Sequence, residues 1–481
     1  MSVTLYTPGT GFPDLEIKIA YGLARVGIEA YENRELKIVN NGGFYSIIID
    51  GELETLEKTF TFLCKRLLSS KYIPFSTPGI GGRTAGSITV LENEVFTLRE
   101  YTTIPSLTQN KKSENVCKHK GVSIGNVIGL SSSTSFHNRR NGLDLQFQYK
   151  NPKDKTSPKI PRRPTNPKNL CKHCGMLALL GTWFATFIFN IKDREVIVIP
   201  LPKYEIKRNK IHEIFSLQHQ IRREWINHDI PQRSIPLIFL SKIPSSVDIL
   251  GGFDLFIAIL SRQQGYHVES ISLVSIQPIL NFLGACSYNN AIIETMLNKN
   301  AFAGLEQLNF VLYQKDTKSL LKFARLYVQE TSPKDSSWTN LLYPETTNYL
   351  LKEVAMIKPE IIENPAIGSL ARTLRYFVRE RKYGYVDDIR NARKDSRDFE
   401  ETIAKMLREA EIRRVQEEEK KRAGKQHKFV NIPKDSEIKE VFKLADGNFE
   451  DVKTALVMLA FTFPTKKEEA KEGTNEEVYN A

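Results

Sequence analysis

Cysteine is scarce in this chain. Five cysteines among 481 residues cannot form a disulfide framework. Uninterrupted apolar runs are also missing where a membrane span would need one. Gly175 to Ile191 carries no charge, but Gly181, Thr182, Thr186 and Asn190 break it and its composition is wrong for a span. Met1 to Phe12 lacks the basic start and apolar run of a signal peptide, so a cytoplasmic protein with no membrane partner is expected. Common catalytic signatures are absent as well: there is no Gly-x-Ser-x-Gly, no His-Glu-x-x-His, no dinucleotide fingerprint and no internal repeat.

What is present is apolar, aromatic and basic. Hydrophobic residues make up 41% and charged residues 26%, with 18 Tyr and 26 Phe, which excludes global disorder, collagen and coiled coil. At roughly 100 to 200 residues per domain, the length allows two to four domains. Lys and Arg number 68 against 56 Asp and Glu, a net charge of +12 that favours a polyanionic partner. Ten basic residues between Arg139 and Lys172 face only Asp144 and Asp154, so one short segment carries most of the excess.

Periodicity gives an α+β expectation. Pro13 and Asp14 precede a helical pattern over Leu15 to Tyr31, and Leu36 to Val39 with Phe44 to Ile49 form a hairpin around Asn40-Asn41-Gly42-Gly43. A second helix is expected over Glu52 to Leu68. The glycine-rich stretch Pro78 to Gly86 leads to a strand at Ile88 to Leu91 and is no Walker loop. It reads as a flexible turn, or as a backbone nest in which Arg83 meets a phosphate.

Thr102 to Asn169 reads as an insertion, with Pro152, Pro158, Pro161, Pro164 and Pro167 in basic sequence. Beyond it, strands are expected at Trp183 to Asn190, Glu195 to Pro200, Pro236 to Leu240 and His267 to Leu273. Helices are expected at Ile211 to Asn227, Val247 to Arg262 and Ile276 to Cys286. From about Tyr288 the pattern is helical throughout. The expected division is an α/β N-terminal region (1–101), a basic insertion with a zinc knuckle (102–175), a middle region completing the main domain (176–366), a helical C-terminal bundle (367–465) and a disordered tail (466–481).

The sharpest local signal is Cys171-Lys172-His173-Cys174-Gly175, whose cysteine spacing lets two thiolates face one ion. Upstream, Cys117-Lys118-His119-Lys120-Gly121 repeats the frame with Lys120 in place of a second cysteine. A tetrahedral set of Cys117, Cys171 and Cys174 with His119 is expected, His173 being the other candidate. Such a closed set holds structural zinc and pins the ends of a roughly 50-residue excursion. A redox pair or free thiols are the alternatives.

Arg372, Arg375, Arg379 and Lys382 are spaced to form one cationic stripe opposite Leu370, Ala371, Leu374, Phe377 and Val378, either a solvated face or a contact to phosphates. Arg139, Arg140, Arg162 and Arg163, with Arg83, are the candidates for reading base edges. His228-Asp229, with His212 and His219 upstream, matches the dipeptide of metal-dependent HD phosphohydrolases, but further ligands are not evident. Cys64 and Cys286 read as small core residues.

Taken in order, Tyr6-Thr7-Pro8-Gly9, the helix with Tyr21-Gly22-Leu23-Ala24-Arg25-Val26-Gly27, the interrupted zinc pattern, the α/β middle and the helical C-terminus resemble the large subunit of archaeal type I-A CRISPR effector (Cascade) complexes. The likeness covers most of the chain. It implies a non-catalytic scaffold near the 5′ end of a guide RNA, beside the backbone subunits and small subunit of the complex. Such a scaffold checks the flanking motif (PAM) of target DNA, helps open the duplex and admits a helicase-nuclease, while pairing reads the sequence. The C-terminal bundle would resemble the small subunit and track single strands. Two other classes fit the residues: a metal-dependent nuclease or RNA-processing enzyme using His212, His219, His228 and Asp229, and a zinc-stabilised scaffold that binds proteins only.

Overall fold

A computed structural model describes residues 2–69, 95–105, 117, 119, 171–191, 194–220, 225–226, 230–243, 245–261, 267–333, 339–394, 397–425 and 427–465. The glycine-rich loop with Arg83, the strand expected at Ile88 to Leu91, Arg139, Arg140, Arg162, Arg163, the pair His228-Asp229 and the tail 466–481 lie outside the described residues. The fold is mixed α and β with small sheets and a helical C-terminal region. Two compact units comprise Met1–Asp229 with Ser245–Gln277, and Ile230–Pro244 with Pro278–Ala481. The boundary expected at residue 366 falls inside the second unit. No helix among the described residues is long and apolar enough to cross a membrane.

The first unit is built around a helix buried on every side. β1 (Ser2–Tyr6) leads into α1 (Pro13–Ala30), which Pro13 opens at a position where a missing N–H costs nothing. Asp14 through Ala24 is buried without a break, the mark of a helix surrounded by protein. Its polar side chains are therefore partnered internally. Lys18 Nζ lies 3.7 Å from Asp14 Oδ2, and Glu16 Oε1 accepts from both the N–H and the hydroxyl of Thr10 at 2.6 Å. Burial raises the Glu16 pKa, opposed by the Thr10 hydrogen bonds.

β2 (Leu36–Asn40) and β3 (Tyr45–Asp50) form the expected hairpin, followed by α2 (Leu53–Ser69). After α3 (Lys172–Ala185) come β4 (Phe187–Ile191), β5 (Arg194–Pro202), β6 (Glu205–Lys207), α4 (Arg208–Gln220) and β7 (Trp225–Ile226). Sheet one has the antiparallel order β1-β3-β2-β6. The unit is completed by α6 (Ser246–Leu250), β8 (Phe253–Ser261) and β9 (His267–Ser275), giving a second sheet of order β7-β4-β5-β8-β9 with only β4 and β7 parallel. α5 (Ile235–Ser241) belongs to the second unit.

α1 and α3 cross at backbone contact. A Cβ on Gly22 would lie 2.1 Å from the Leu177 carbonyl oxygen, and one on Gly181 only 1.8 Å from that of Lys18. As α1 advances from 18 to 22, α3 retreats from 181 to 177, so the helices run antiparallel.

Four expected elements are corrected. Pro236 to Leu240 is a helix, not a strand: all seven residues of α5 are buried, so its apolar run carries no period, and Pro236 sits in the first turn. Val247 to Arg262 is not one helix. Gly251-Gly252, with φ +84° at Gly252, ends α6, and the buried run that follows is a central strand paired on both edges. The helix α3 extends through Trp183 to Ala185 before β4 begins, and α4 stops at Gln220 rather than Asn227.

In the second unit α7 (Gln277–Ala285), split with the first unit at its start, is followed by α8 (Tyr288–Asn298), α9 (Phe302–Gln314), α10 (Thr317–Thr331), α11 (Pro344–Tyr349), α12 (Pro359–Ile362), α13 (Pro365–Arg379), α14 (Gly384–Asn391), α15 (Asp398–Arg422) and α16 (Asp435–Ala460). α13 packs on α16. The connection before α16 is tied to α13, with Asn431 Nδ2 donating to Ser369 O at 2.7 Å and Thr373 Oγ1 donating to Asn431 O at 2.8 Å.

The helix crossing yields a stability prediction. Gly181→Ala forces backbone apart and is expected to cost about 3 kcal/mol. Gly368→Ala, in α13 with nothing within 4 Å of the new Cβ, is expected to gain up to about 1 kcal/mol from helix propensity. Chemical denaturation of the two variants checks both signs.

Candidate metal centre

The first turn of α3 is the platform of the site. Met176 to Leu180 is a buried apolar run that favours helix, so Cys171-Lys172-His173-Cys174 opens a helix instead of forming a free-standing knuckle turn. Cys171 is the N-cap, in extended conformation (φ −68°, ψ 155°), and its sulfur accepts from the Cys174 N–H at 3.3 Å, the place a serine oxygen takes in an ordinary cap. The Gly175 N–H bonds to Cys171 O at 2.9 Å. That bond commits the Gly175 N–H to the helix and not to a sulfur. The N–H groups of Cys171 and Cys174 at this helix start both point to sulfur, which favours thiolate charge.

Cys117 and His119 complete the cluster. The Cys171 N–H donates to Cys117 Sγ at 3.3 Å, while His119 Nδ1 lies 3.5 Å from Cys171 Sγ and 3.2 Å from Cys174 Sγ. The four ligand atoms of Cys117, His119, Cys171 and Cys174 all lie within 4.8 Å of one another. The three cysteines are buried and unbridged, and His119 is half-buried. A tetrahedral ion with sulfur at about 2.3 Å and nitrogen at about 2.0 Å requires donor separations of about 3.5 to 3.8 Å. The set fits a metal ion in both size and softness, consistent with zinc.

Electrostatics point the same way. The Cys174 thiol is pushed well up, first by burial and then by the neighbouring cysteines. Cys171 is pushed up to about 12, first by its hydrogen bond with Cys117. Cys117 is held below the usual thiol range by hydrogen bonds from Cys171 and Cys174. One negative charge is thus easy to hold and three are not, unless a cation offsets them.

His173 is not a member of the cluster. Its Nε2 accepts from the Thr97 N–H at 3.5 Å, and its ring packs against Phe96 with centroids 5.8 Å apart. Sequence reasoning missed Tyr101, whose hydroxyl lies 2.9 Å from Cys174 Sγ. Nothing in residue spacing connects position 101 to position 174. Cys64 is fully buried with its thiol pushed up by burial, and Cys286 is half-buried.

The expected cationic stripe does not form. Arg375 is buried, 5% exposed, and its Nη2 donates to Leu459 O at 3.1 Å. The buried face of α13 is wider than its five apolar positions, and the guanidinium serves the carbonyl end of α16. Arg372 and Arg379 are half-buried. Lys382 lies beyond the end of α13 and is 2.9 Å from Glu409, whose pKa is lowered to about 2, first by the Tyr385 hydroxyl and then by Lys382. His212 and His219 are exposed on α4, and the Cys117 cluster is the one group found among the described residues that could hold a metal.

No family model matches the chain, and no curated protein matches it either.

Two predictions follow from these geometries. Metal analysis of the purified chain is expected to find one equivalent of zinc, lost in Cys171→Ser/Cys174→Ser, weakened in His119→Ala and unchanged in His173→Ala. Separately, Arg375→Ala removes a charged hydrogen bond to Leu459 O, leaving that carbonyl with the Thr462 N–H at 3.3 Å, and is expected to lower stability by about 2 kcal/mol, measurable by denaturant titration.

Proposed function

We propose that the chain is a non-catalytic large subunit of an RNA-guided DNA-targeting CRISPR interference complex, held together locally by structural zinc. The closed donor set supports a structural role for the metal site: three sulfurs and one imidazole would fill a tetrahedral ion and leave no position there for substrate or reactive water, while the non-catalytic reading of the whole chain rests on the resemblance. The RNA-guided part rests on the resemblance, in which a metal-pinned α/β region precedes a helical C-terminus. Guide RNA, target DNA, backbone and small subunits and a helicase-nuclease are the partners on this reading, in the cytoplasm.

Arg83, Arg139, Arg140, Arg162 and Arg163 carry the contact to the flanking motif in this reading, because an arginine fork matches base edges and phosphates. With Arg375 committed to Leu459, the basic insertion takes more of the nucleic-acid contact than the C-terminal helix.

Co-purification from the native host tests the class. The expected result is a small RNA of uniform length with several companion proteins. Recovery of the chain without RNA, or with a manganese-dependent nuclease activity abolished by His228→Ala or Asp229→Ala, overturns it. For the assembled complex, replacing Arg139, Arg140, Arg162 and Arg163 by alanine is expected to make the slope of log affinity against log salt on duplex DNA shallower by roughly 3 to 4 units. Arg375→Ala is expected to leave that slope unchanged.

A further inference from the structure

Tyr101 touches two of the four metal-cluster residues at once. Its side chain is completely buried in a short 3₁₀ turn, Arg99–Thr102. The hydroxyl lies 2.9 Å from Cys174 Sγ, and the ring meets the His119 imidazole edge to face, with centroids 4.5 Å apart and planes at 65°. A buried phenol needs an acceptor, and a thiolate is one.

The turn is itself held from α2. The Leu98 N–H donates to Glu57 Oε1 at 2.8 Å, and the Thr97 hydroxyl donates to the same oxygen. One residue pair earlier, the Phe96 N–H donates to Thr61 Oγ1 at 3.1 Å. The Tyr101 N–H closes the turn on Leu98 O at 3.0 Å. Tyr101 is thus fixed by elements that supply no ligand, yet it reaches a sulfur on α3 and an imidazole from the other end of the insertion.

We infer that Tyr101 is a positioning residue of the metal centre: its O–H donates to the Cys174 thiolate, and its ring holds His119 with Nδ1 turned toward the sulfurs. This inference rests on the metal reading above. Hydrogen bonds beyond the ligand sphere fix ligand orientation and tune ligand electronics, and their loss typically weakens metal binding by about 10- to 100-fold. Donation to sulfur also lowers the energy of its lone pairs, which makes the thiolate a poorer nucleophile and a poorer electron donor to the metal.

The test uses the full chain loaded with zinc or with cobalt(II). In Tyr101→Phe, which removes only the hydroxyl, zinc affinity measured by competition with a chromophoric chelator is expected to fall by about tenfold. In the cobalt form the sulfur-to-metal charge-transfer band is expected to move to lower energy, while the ligand-field bands stay tetrahedral. Tyr101→Leu, which also removes the ring from His119, is expected to weaken zinc by about 100-fold. Phe60→Leu serves as the control. Phe60 is equally buried and packs on Phe96 at 5.3 Å, so a purely structural loss lowers stability there without moving the cobalt band. If wild type binds zinc and cobalt but Tyr101→Phe matches it within twofold and in band energy, the inference is overturned and the metal reading stands. If wild type takes up neither ion, both fall together.

Discussion

Two glycines set how closely α1 and α3 approach, and the first unit depends on that distance. At Gly22 and Gly181 each helix lies against the other's backbone, with no side chain between them. The close crossing explains how α1 can be buried without a break from Asp14 to Ala24 although Asp14, Glu16 and Lys18 are among those residues. Surrounding α1 on all sides removes water from those groups, and the unit answers with the Lys18 contact to Asp14 and the Thr10 clasp on Glu16. Longer side chains at the crossing would push α3 outward and carry Cys171 and Cys174 with it.

The metal cluster draws on this rigidity. A helix start is a good base for sulfur ligands because its N–H groups are unpaired and its backbone is already ordered by the rest of the helix. Here the body of α3 is locked to α1, so Cys171 and Cys174 need no metal to be held near one another. Cys117 and His119 come from a distant part of the sequence, and for them an ion would act as the cross-link. The raised Cys171 and Cys174 pKa values and the lowered one of Cys117 describe a set that shares protons until a cation replaces them.

The sequence made some of this legible and concealed the rest for physical reasons. α2 and the β2–β3 hairpin have one buried face or a turn-forming tetrapeptide, so their periods and breakers could be read, and α1, though buried all round, was announced by Pro13 and Asp14 at its start. α5 and β8 are both buried all round, and an apolar run with no polar face carries no period, which is why helix and strand were exchanged there. The cysteine spacing exposed the cluster, but the choice between His119 and His173 lay in three dimensions: His173 points at Phe96 and Thr97 from the same helical turn that holds Cys171 and Cys174. Arg375 looked like part of a solvated stripe because a cation at helical spacing usually is one. Only the arrival of the last turn of α16 beside it gives that guanidinium a carbonyl to serve. Tyr101 had no signature at all.

The pairing distances also dictate an order of events during synthesis. Gly22 waits for Leu177, and Lys37 of β2 waits for Lys207 of β6. At about 5 to 20 residues per second, a ribosome needs on the order of ten seconds or more to make the intervening chain. For most of that interval the apolar surface of α1 is without the helix that covers it. The amino-terminal segment therefore waits with its apolar surface uncovered, and slow translation of the intervening residues lengthens that exposure.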